Sequence, residues 1–296
     1  MRIALTVGSS GLGAALRAQA ALAGHEVLCF GRTDGHRPLA GVRDSSVDLN
    51  QIANVRYVLA SFRADAFIHL AWSADPDAHG DHHDRDGLDL AGKLFHTALD
   101  AGVPHVLGLG TCQEYGPRNG ALREDGDCLP VSRHGLMRQV AHGLLSALAV
   151  EHGAHYTWMR AFEIVGGHTG PLPCADPGRP THLQVAPTTS DSDRRDYIEV
   201  HDAARAILHA AEQRLFGPLN LCQGPVCTRE ELLRAIAVQA RARGITAQQL
   251  DLRHGAQWLG DPSRLVKTGF VPMSRTAEQI AGSIIKRYEP AKAIAA

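Results

Sequence analysis

Two short stretches near the N-terminus have the residue types and spacing that hold a dinucleotide. Gly8-Ser9-Ser10-Gly11-Leu12-Gly13 follows the apolar run Arg2-Ile3-Ala4-Leu5-Thr6-Val7 and leads into an alanine-rich segment. A buried strand, a tight glycine turn and a helix N-terminus make an anion site. Backbone N–H groups point out of the turn, and the helix dipole favours a diphosphate there. Gly8, Ser10, Gly11, Leu12 and Gly13 are the candidate phosphate-binding residues. The second stretch is the end of the next strand, Leu28-Cys29-Phe30-Gly31-Arg32, which follows Gly24-His25. A carboxylate at that point would bond a ribose 2′-hydroxyl, whereas an arginine accommodates a 2′-phosphate. The carboxylate is missing and Arg32 is present, with His36 and Arg37 behind it, so NADP(H) is preferred over NAD(H). The plainer alternative is a solvated basic turn. Asp48-Leu49 follows the expected third strand. Asp48 either meets the adenine amino group or caps the helix beginning near Gln51.

A third stretch is rich in metal-ligand types. Asp75-Pro76-Asp77-Ala78-His79-Gly80-Asp81-His82-His83-Asp84-Arg85-Asp86 could ligate zinc or manganese. It lacks helical ligand spacing, so a solvated loop bordering the substrate is expected and no metal. Six cysteines stand singly, without zinc-like spacing, which suits reduced thiols in a cytoplasmic protein.

The elements that must position these residues alternate. Strands are expected at 2–7, 27–30, 66–71, 104–110 and 154–160, and helices at 12–23, 51–63, 85–101 and 134–152. Such alternation implies a doubly wound parallel sheet of α/β class, a Rossmann-type fold. Beyond Arg160 the pattern breaks, and 166–193 reads as a long Gly/Pro/Thr/Asp-rich loop. A helix at 201–214, a strand near 218–222 and helices at 228–243 and 275–288 complete the chain. The expected organisation is a dinucleotide-binding domain at 1–162, rejoined by about 196–222. A small discontinuous substrate lobe takes 163–195 and 223–290, and a tail follows at 291–296. At 296 residues, 44% hydrophobic and net charge −1, the chain can bury a large core but has no basic footprint for nucleic acid. No run is long enough for a membrane span, and no signal peptide is read.

These segments together resemble the extended short-chain dehydrogenase/reductase family, the NAD(P)-dependent epimerases, dehydratases and reductases of nucleotide sugars. The resemblance rests on Gly8-x-x-Gly11-x-Gly13, Gly24-His25-Glu26-Val27, His69-Leu70-Ala71 and Ala101-Gly102-Val103. It continues in Gly110-Thr111-Cys112-Gln113-Glu114-Tyr115-Gly116, Arg195-Asp196-Tyr197-Ile198-Glu199-Val200-His201-Asp202 and Asp261-Pro262-Ser263-Arg264. It implies that Leu70 and Ala71 line the cofactor and that Thr111 hydrogen-bonds the substrate oxygen. It also implies that Arg195 and Arg264 grip a substrate diphosphate, for which bidentate guanidiniums are suited. For Arg264 a solvated helix-start charge is the equal alternative. Trp72 either lines the nicotinamide side or packs in the core, and Cys112 is a substrate-side thiol or a packing residue. A homodimer is implied through the helices at 85–101 and 134–152.

The chain departs from the family where acid/base chemistry is done. Leu129-Pro130-Val131-Ser132-Arg133-His134-Gly135-Leu136-Met137-Arg138 puts His134 and Arg138 where the family has Tyr-x-x-x-Lys. A spacing of four keeps both on one helical face. Asp89 and Glu163 replace the family's asparagines. Three readings follow. His134 works as acid/base near its ordinary pKa while Arg138 bonds the ribose. Alternatively the fold survives as a silent NADP-binding sensor or scaffold. In the third, Cys112, Glu114, Asp89 or Glu163 supply other, non-redox acid/base chemistry. The Cys112-Gln113 pair argues against a sugar 4,6-dehydratase. The expectation is an epimerase or ketoreductase of a nucleotide sugar or similar small polar substrate, with Trp72, Cys112, Glu163, Arg195 and Arg264 on the substrate side.

Overall fold

The computed structural model describes residues 1–6, 11–31, 38–70, 72, 81–118, 120–166, 194–224, 227–244 and 258–286, with the side chains of 81–84 and 194–195 left out. The expected glycine-turn residues Gly8 and Ser10, together with Arg32, Ala71, the 167–193 loop and the tail, lie outside the described residues.

Alternating apolar runs and amphipathic segments fold as a wound α/β unit. In chain order the first half runs β1 (Arg2–Thr6), α1 (Gly11–Leu22), β2 (Glu26–Phe30), β3 (Val42–Ser45), α2 (Ile52–Phe62), β4 (Ala66–His69), α3 (Asp81–Asp100) and β5 (His105–Thr111). A 3₁₀ turn (Cys112–Tyr115), β6 (Ala121–Leu122), α4 (Arg133–Glu151), β7 (His155–Ala161) and β8 (Glu163–Val165) follow. The remainder is β9 (Arg194–Arg195), β10 (Tyr197–Glu199), α5 (Val200–Glu212), β11 (Gly217–Leu221), β12 (Cys227–Thr228), α6 (Arg229–Ala242), β13 (Leu259–Gly260), α7 (Ser263–Lys267) and α8 (Ala277–Lys286).

Seven strands form one sheet in the order β11-β7-β5-β4-β1-β2-β3, and every neighbouring pair is parallel. Sheets of this kind are covered on both faces, which is why the strands read as continuous apolar runs. Leu12, Ala15, Leu16 and Ala20 of α1 join Ala203, Ala204 and Ile207 of α5 against one face. Val55, Leu59, Phe95, Ala141 and Leu145, from α2, α3 and α4, cover the other. The strand order reverses between β1 and β4. In such sheets that switch point, at the carboxyl ends of the strands, is where ligands bind.

Two smaller cores complete the molecule. Tyr197, Leu232, Ile236, Ile280 and Ile284 pack β10, α6 and α8 together. Cys112, Tyr115, Leu122, Phe162 and Cys222 form a satellite beneath the 3₁₀ turn.

Two expectations need correcting. The helix expected from 85 begins at Asp81, so the second half of the Asp/His-rich stretch is helical rather than loop. Carboxylates in a first helical turn favour the helix dipole, and their polarity hid the apolar period. Beyond Arg160 the pattern does not simply break: β8 and β10 pair in parallel, Tyr197 opposite Glu163. Strands of three residues are too short to show alternation. No described helix is long and apolar enough to cross a membrane.

Candidate active site

The crevice is built at the carboxyl ends of β1, β4 and β5. At the end of β1, Thr6 Oγ1 lies 3.0 Å from His69 Nδ1, and Leu70 N donates to the same hydroxyl at 3.0 Å. This ties the strands on either side of the switch point. His69 is fully buried, and desolvation, aided by the nearby Arg138 charge, pushes it down to about 3, so it is neutral. Gly11, Leu12 and Gly13 open α1 and are buried against this end of the sheet. The first amides of a helix have no carbonyl partner within it and suit phosphate oxygens.

Beside them lies an ion pair, its arginine buried and its carboxylate exposed, that sequence reasoning missed. Arg17 of α1 donates to Asp44 of β3 at 2.7 Å, next to the buried Cys29. Asp48 caps nothing. Its Oδ1 accepts from Asn50 N at 2.9 Å, a local turn, and Gln51 is the α2 N-cap residue without a side-chain cap bond. Leu49 packs partly buried against the core.

Thr111 ends β5 and is the N-cap of the 3₁₀ turn. Its Oγ1 accepts from Gln113 N at 3.4 Å, while Glu114 Oε1 accepts from Thr111 N at 2.8 Å. This reciprocal pair is a capping box. The helix α4 docks directly on that turn. Ser132, its N-cap, accepts from Gly135 N at 3.1 Å and donates its hydroxyl to Gln113 Oε1 at 2.6 Å. Gly135 lies so close that a Cβ there would stand 2.5 Å from Gln113 O. The half-buried His134 of the first helical turn is thereby held beside the Thr111 turn. One turn on, Arg138 is buried; its Nη1 donates to Leu109 O at 2.8 Å, and its guanidinium lies 3.5 Å from the Trp72 ring centre. Thr111, His134 and Arg138 thus come to one edge, and Trp72 serves as the platform for Arg138.

Residues 4–222 match the model of the NAD dependent epimerase/dehydratase family. The chain belongs to this family. No curated protein matches it by sequence. Among solved structures it is similar to the UDP-glucose 4-epimerase of Thermus thermophilus in complex with NAD, at TM-score 0.77 and 22% identity over 98% of this chain and 100% of that one. It is also similar to a UDP-N-acetylglucosamine 4-epimerase from Methanobrevibacter ruminantium in complex with UDP-N-acetylmuramic acid, at TM-score 0.79 and 20% identity over 97% of each chain. A third is the Stenotrophomonas maltophila UDP-glucose-4-epimerase with bound NAD and formylated UDP-arabinopyranose, at 0.78 and 20% over 97% and 98%. Members of the family are enzymes, and the fold here is theirs.

Within this epimerase-family frame the remaining candidates separate. Cys112 is buried, and burial followed by the Glu163 charge pushes its thiol well up, which makes it a packing residue rather than a nucleophile. Glu163 is half-buried on β8, and the backbone of Arg195 pairs with Cys227 on β12. Asp89 is exposed and bonded to Lys93 at 2.6 Å. Glu114 is wholly buried beneath Thr111, its oxygens occupied by Thr111, Trp158 and Arg160, so it faces the protein interior rather than substrate.

Arg264 is not brought to this edge. Its Nη2 donates to Phe216 O at 2.8 Å, just before β11 begins, whereas Thr111 lies at the opposite, carboxyl end of the parallel sheet. The five-residue α7 runs back along β11 and carries the guanidinium away from the crevice.

Asp196 has a structural job that its motif did not reveal. Its buried carboxylate accepts from Gln223 N and Gly224 N at 3.0 Å and from Gly260 N at 3.2 Å, joining three segments. Desolvation pushes it up to about 6 in spite of those bonds. Asp196→Ala leaves three donors unpaired at about 1–3 kcal/mol each. Urea unfolding should show a loss of about 3 kcal/mol or more.

Proposed function

We propose that this chain is an NADP(H)-dependent epimerase or ketoreductase of a nucleotide sugar or similar small polar substrate, with His134 as its acid/base group. The observation that supports this reading is the docking of α4 on the Thr111 turn through Ser132 and Gly135, with His134 lying between those two residues in the chain. The residues present suit the cofactor. Buried glycines open α1 at the switch point, and a buried guanidinium is fixed on an aromatic face nearby. NADP(H), when bound, supplies hydride acceptance or donation.

The chain's own residues do the rest. Thr111 Oγ1 accepts the Gln113 amide, and its O–H is the donor offered to the substrate oxygen. His134 takes or returns the proton of that oxygen, a role to which imidazole is suited. Arg138 keeps its charge throughout and anchors the ribose rather than moving a proton. Glu163 and Arg195 stand on the substrate side. The preference for NADP(H) rests on Arg32, which follows the left-handed turn at Gly31 (φ 103) where β2 ends without a carboxylate.

His134→Ala is expected to lower turnover by about 10²–10⁴, with cofactor affinity within about threefold, measured by reduced-cofactor fluorescence. Unchanged turnover would remove His134 from the mechanism. NADPH is expected to bind at least about tenfold tighter than NADH, with the gap closing in Arg32→Ala; equal affinities in the parent protein refute the preference. Leu136, Val140 and Leu144 form an exposed apolar stripe along α4 at a spacing of four, which suits the homodimer that the resemblance implies. Five free cysteines among the described residues suit a reducing, cytoplasmic setting.

A further inference from the structure

Beneath the candidate catalytic threonine lies a carboxylate that the proposed reaction does not use. Glu114 is 0% exposed and accepts from three N–H donors, one of them bifurcated across both oxygens. Thr111 N donates to Oε1 at 2.8 Å, Trp158 Nε1 lies 3.0 Å from both oxygens, and Arg160 Nε donates to Oε2 at 3.0 Å. Space for the carboxylate comes from Gly110, where a Cβ would stand 2.1 Å from Oε1. Arg160 is itself buried and lies 4.6 Å from the Tyr115 ring centre.

A buried ion pair is poor evidence for stability, because desolving both charges cancels most of their attraction. Its geometry therefore needs another reason, and the bonds name one. The single charge-assisted acceptor on the Thr111 amide is this carboxylate, and such bonds are shorter and more directional than neutral ones. The far side of the same turn is also tied: Tyr115 OH donates to Asn220 Oδ1 at 2.6 Å, and Asn220 Nδ2 donates to Leu122 O at 2.8 Å. The α4 N-terminus, with His134, then rests on Gln113 between these two ties.

We propose that Glu114 is a positioning residue that clamps the Thr111 amide, so that Thr111 and the His134 turn move as one rigid piece. It touches neither substrate nor cofactor. Its consequence for turnover rests on the proposed hydride and proton chemistry, whereas the clamp does not.

The test uses two double variants in which the ion pair is removed as a unit, so that no lone charge stays buried. Glu114→Gln with Arg160→Met keeps an acceptor oxygen for Thr111 N; Glu114→Leu with Arg160→Met does not. In amide hydrogen exchange by NMR, Thr111 protection should fall by about 10-fold or more in the Leu/Met protein and hold within about threefold in the Gln/Met protein. Equal protection in both overturns the clamp. With the clamp lost, kcat should drop by about 30–100-fold while KM and cofactor Kd stay within about threefold, as expected of misplaced catalytic groups. A purely structural role would lower the unfolding midpoint of both variants alike and leave kcat of the folded protein unmoved, which also overturns the proposal. If the parent protein turns over no nucleotide sugar, the functional reading fails while the exchange experiment still decides the clamp. Should the Leu/Met protein fail to fold, Glu114→Ala with Arg160→Met takes its place: Thr111 protection about 10-fold lower than in the Gln/Met protein supports the clamp, and equal protection overturns it.

Discussion

Acidification from about pH 7 to pH 5 is expected to cost this protein about 2 kcal/mol of stability, because three histidines are folded in their neutral form. Burial pushes His69 down to about 3 and His105 and His142 down to about 4, from an ordinary 6.5. Positive neighbours add to this: Arg138 at His69, His155 and Arg214 at His105, and Arg160 at His142. In the unfolded chain these rings protonate near 6.5. The stability they contribute is therefore fully present above that pH and is lost as pH falls toward the folded values. Each costs about 1.4 kcal/mol per pH unit in that window. Two carboxyls run the other way. Asp196, pushed up to about 6, and Glu114, also raised by burial, hold their protons better when folded and gain stability as pH falls. His152, raised by its bonds to Leu148 O and Asp100, also gains as pH falls, but it lies near the surface, so the large downward shifts of the three histidines leave a net loss. Urea unfolding near pH 7, 6 and 5 measures it. His142→Phe keeps a ring stacked on Trp158, where the native planes lie at 15° and centroids 5.3 Å apart, while removing one titration. The slope should become shallower by about one proton; a slope of zero in the parent, or no change in the variant, refutes the account.

Gly110→Ala is expected to destabilise the fold by about 4 kcal/mol or more. A Cβ there would meet Glu114 Oε1 at 2.1 Å and Trp158 Nε1 at 2.3 Å, and both side chains are wholly buried. Overpacking alone costs about 1–3 kcal/mol. Displacing the carboxylate from Arg160 adds the penalty of a buried charge without its partner, about 3–5 kcal/mol when complete. Gly108→Ala meets the Trp158 ring at 2.4 Å and Leu145 at 3.4 Å, and should cost less because no ion pair is broken. Gly143→Ala on the exposed face of α4 meets nothing within 4 Å and should stabilise by about 1 kcal/mol. Denaturant midpoints of the three variants test this order. Gly110→Ala as stable as the parent would mean that the site beneath Thr111 is loose.

Much of the frame was legible in the residues. The strands of the central sheet and their helices fall where the apolar periods and glycine punctuation put them, because a parallel sheet covered on both faces needs continuous apolar runs. Thr111, His134 and Arg138 were grouped by the family resemblance, with the spacing of four putting His134 and Arg138 on one helical face. Strands of two or three residues could not be read, nor could the start of α3 beneath its cluster of aspartates and histidines. Glu114 was read as one of four groups that could supply acid/base chemistry, and its buried environment was not legible. Its partners Trp158 and Arg160 are 44 and 46 residues away in the chain.

The doubly wound sheet, the family and the substitution of His134 and Arg138 for the usual acid/base pair can be read along the chain. These are matters of residue type and order along the chain. Which charges serve the crevice depends on folding. It turned Glu114 inward under Thr111, left Asp89 in solvent with Lys93, gave Asp196 to three backbone amides, and carried Arg264 to the opposite end of β11. A carboxylate or guanidinium takes its role from the dielectric and the partners that packing puts around it, and those partners come from distant parts of the chain.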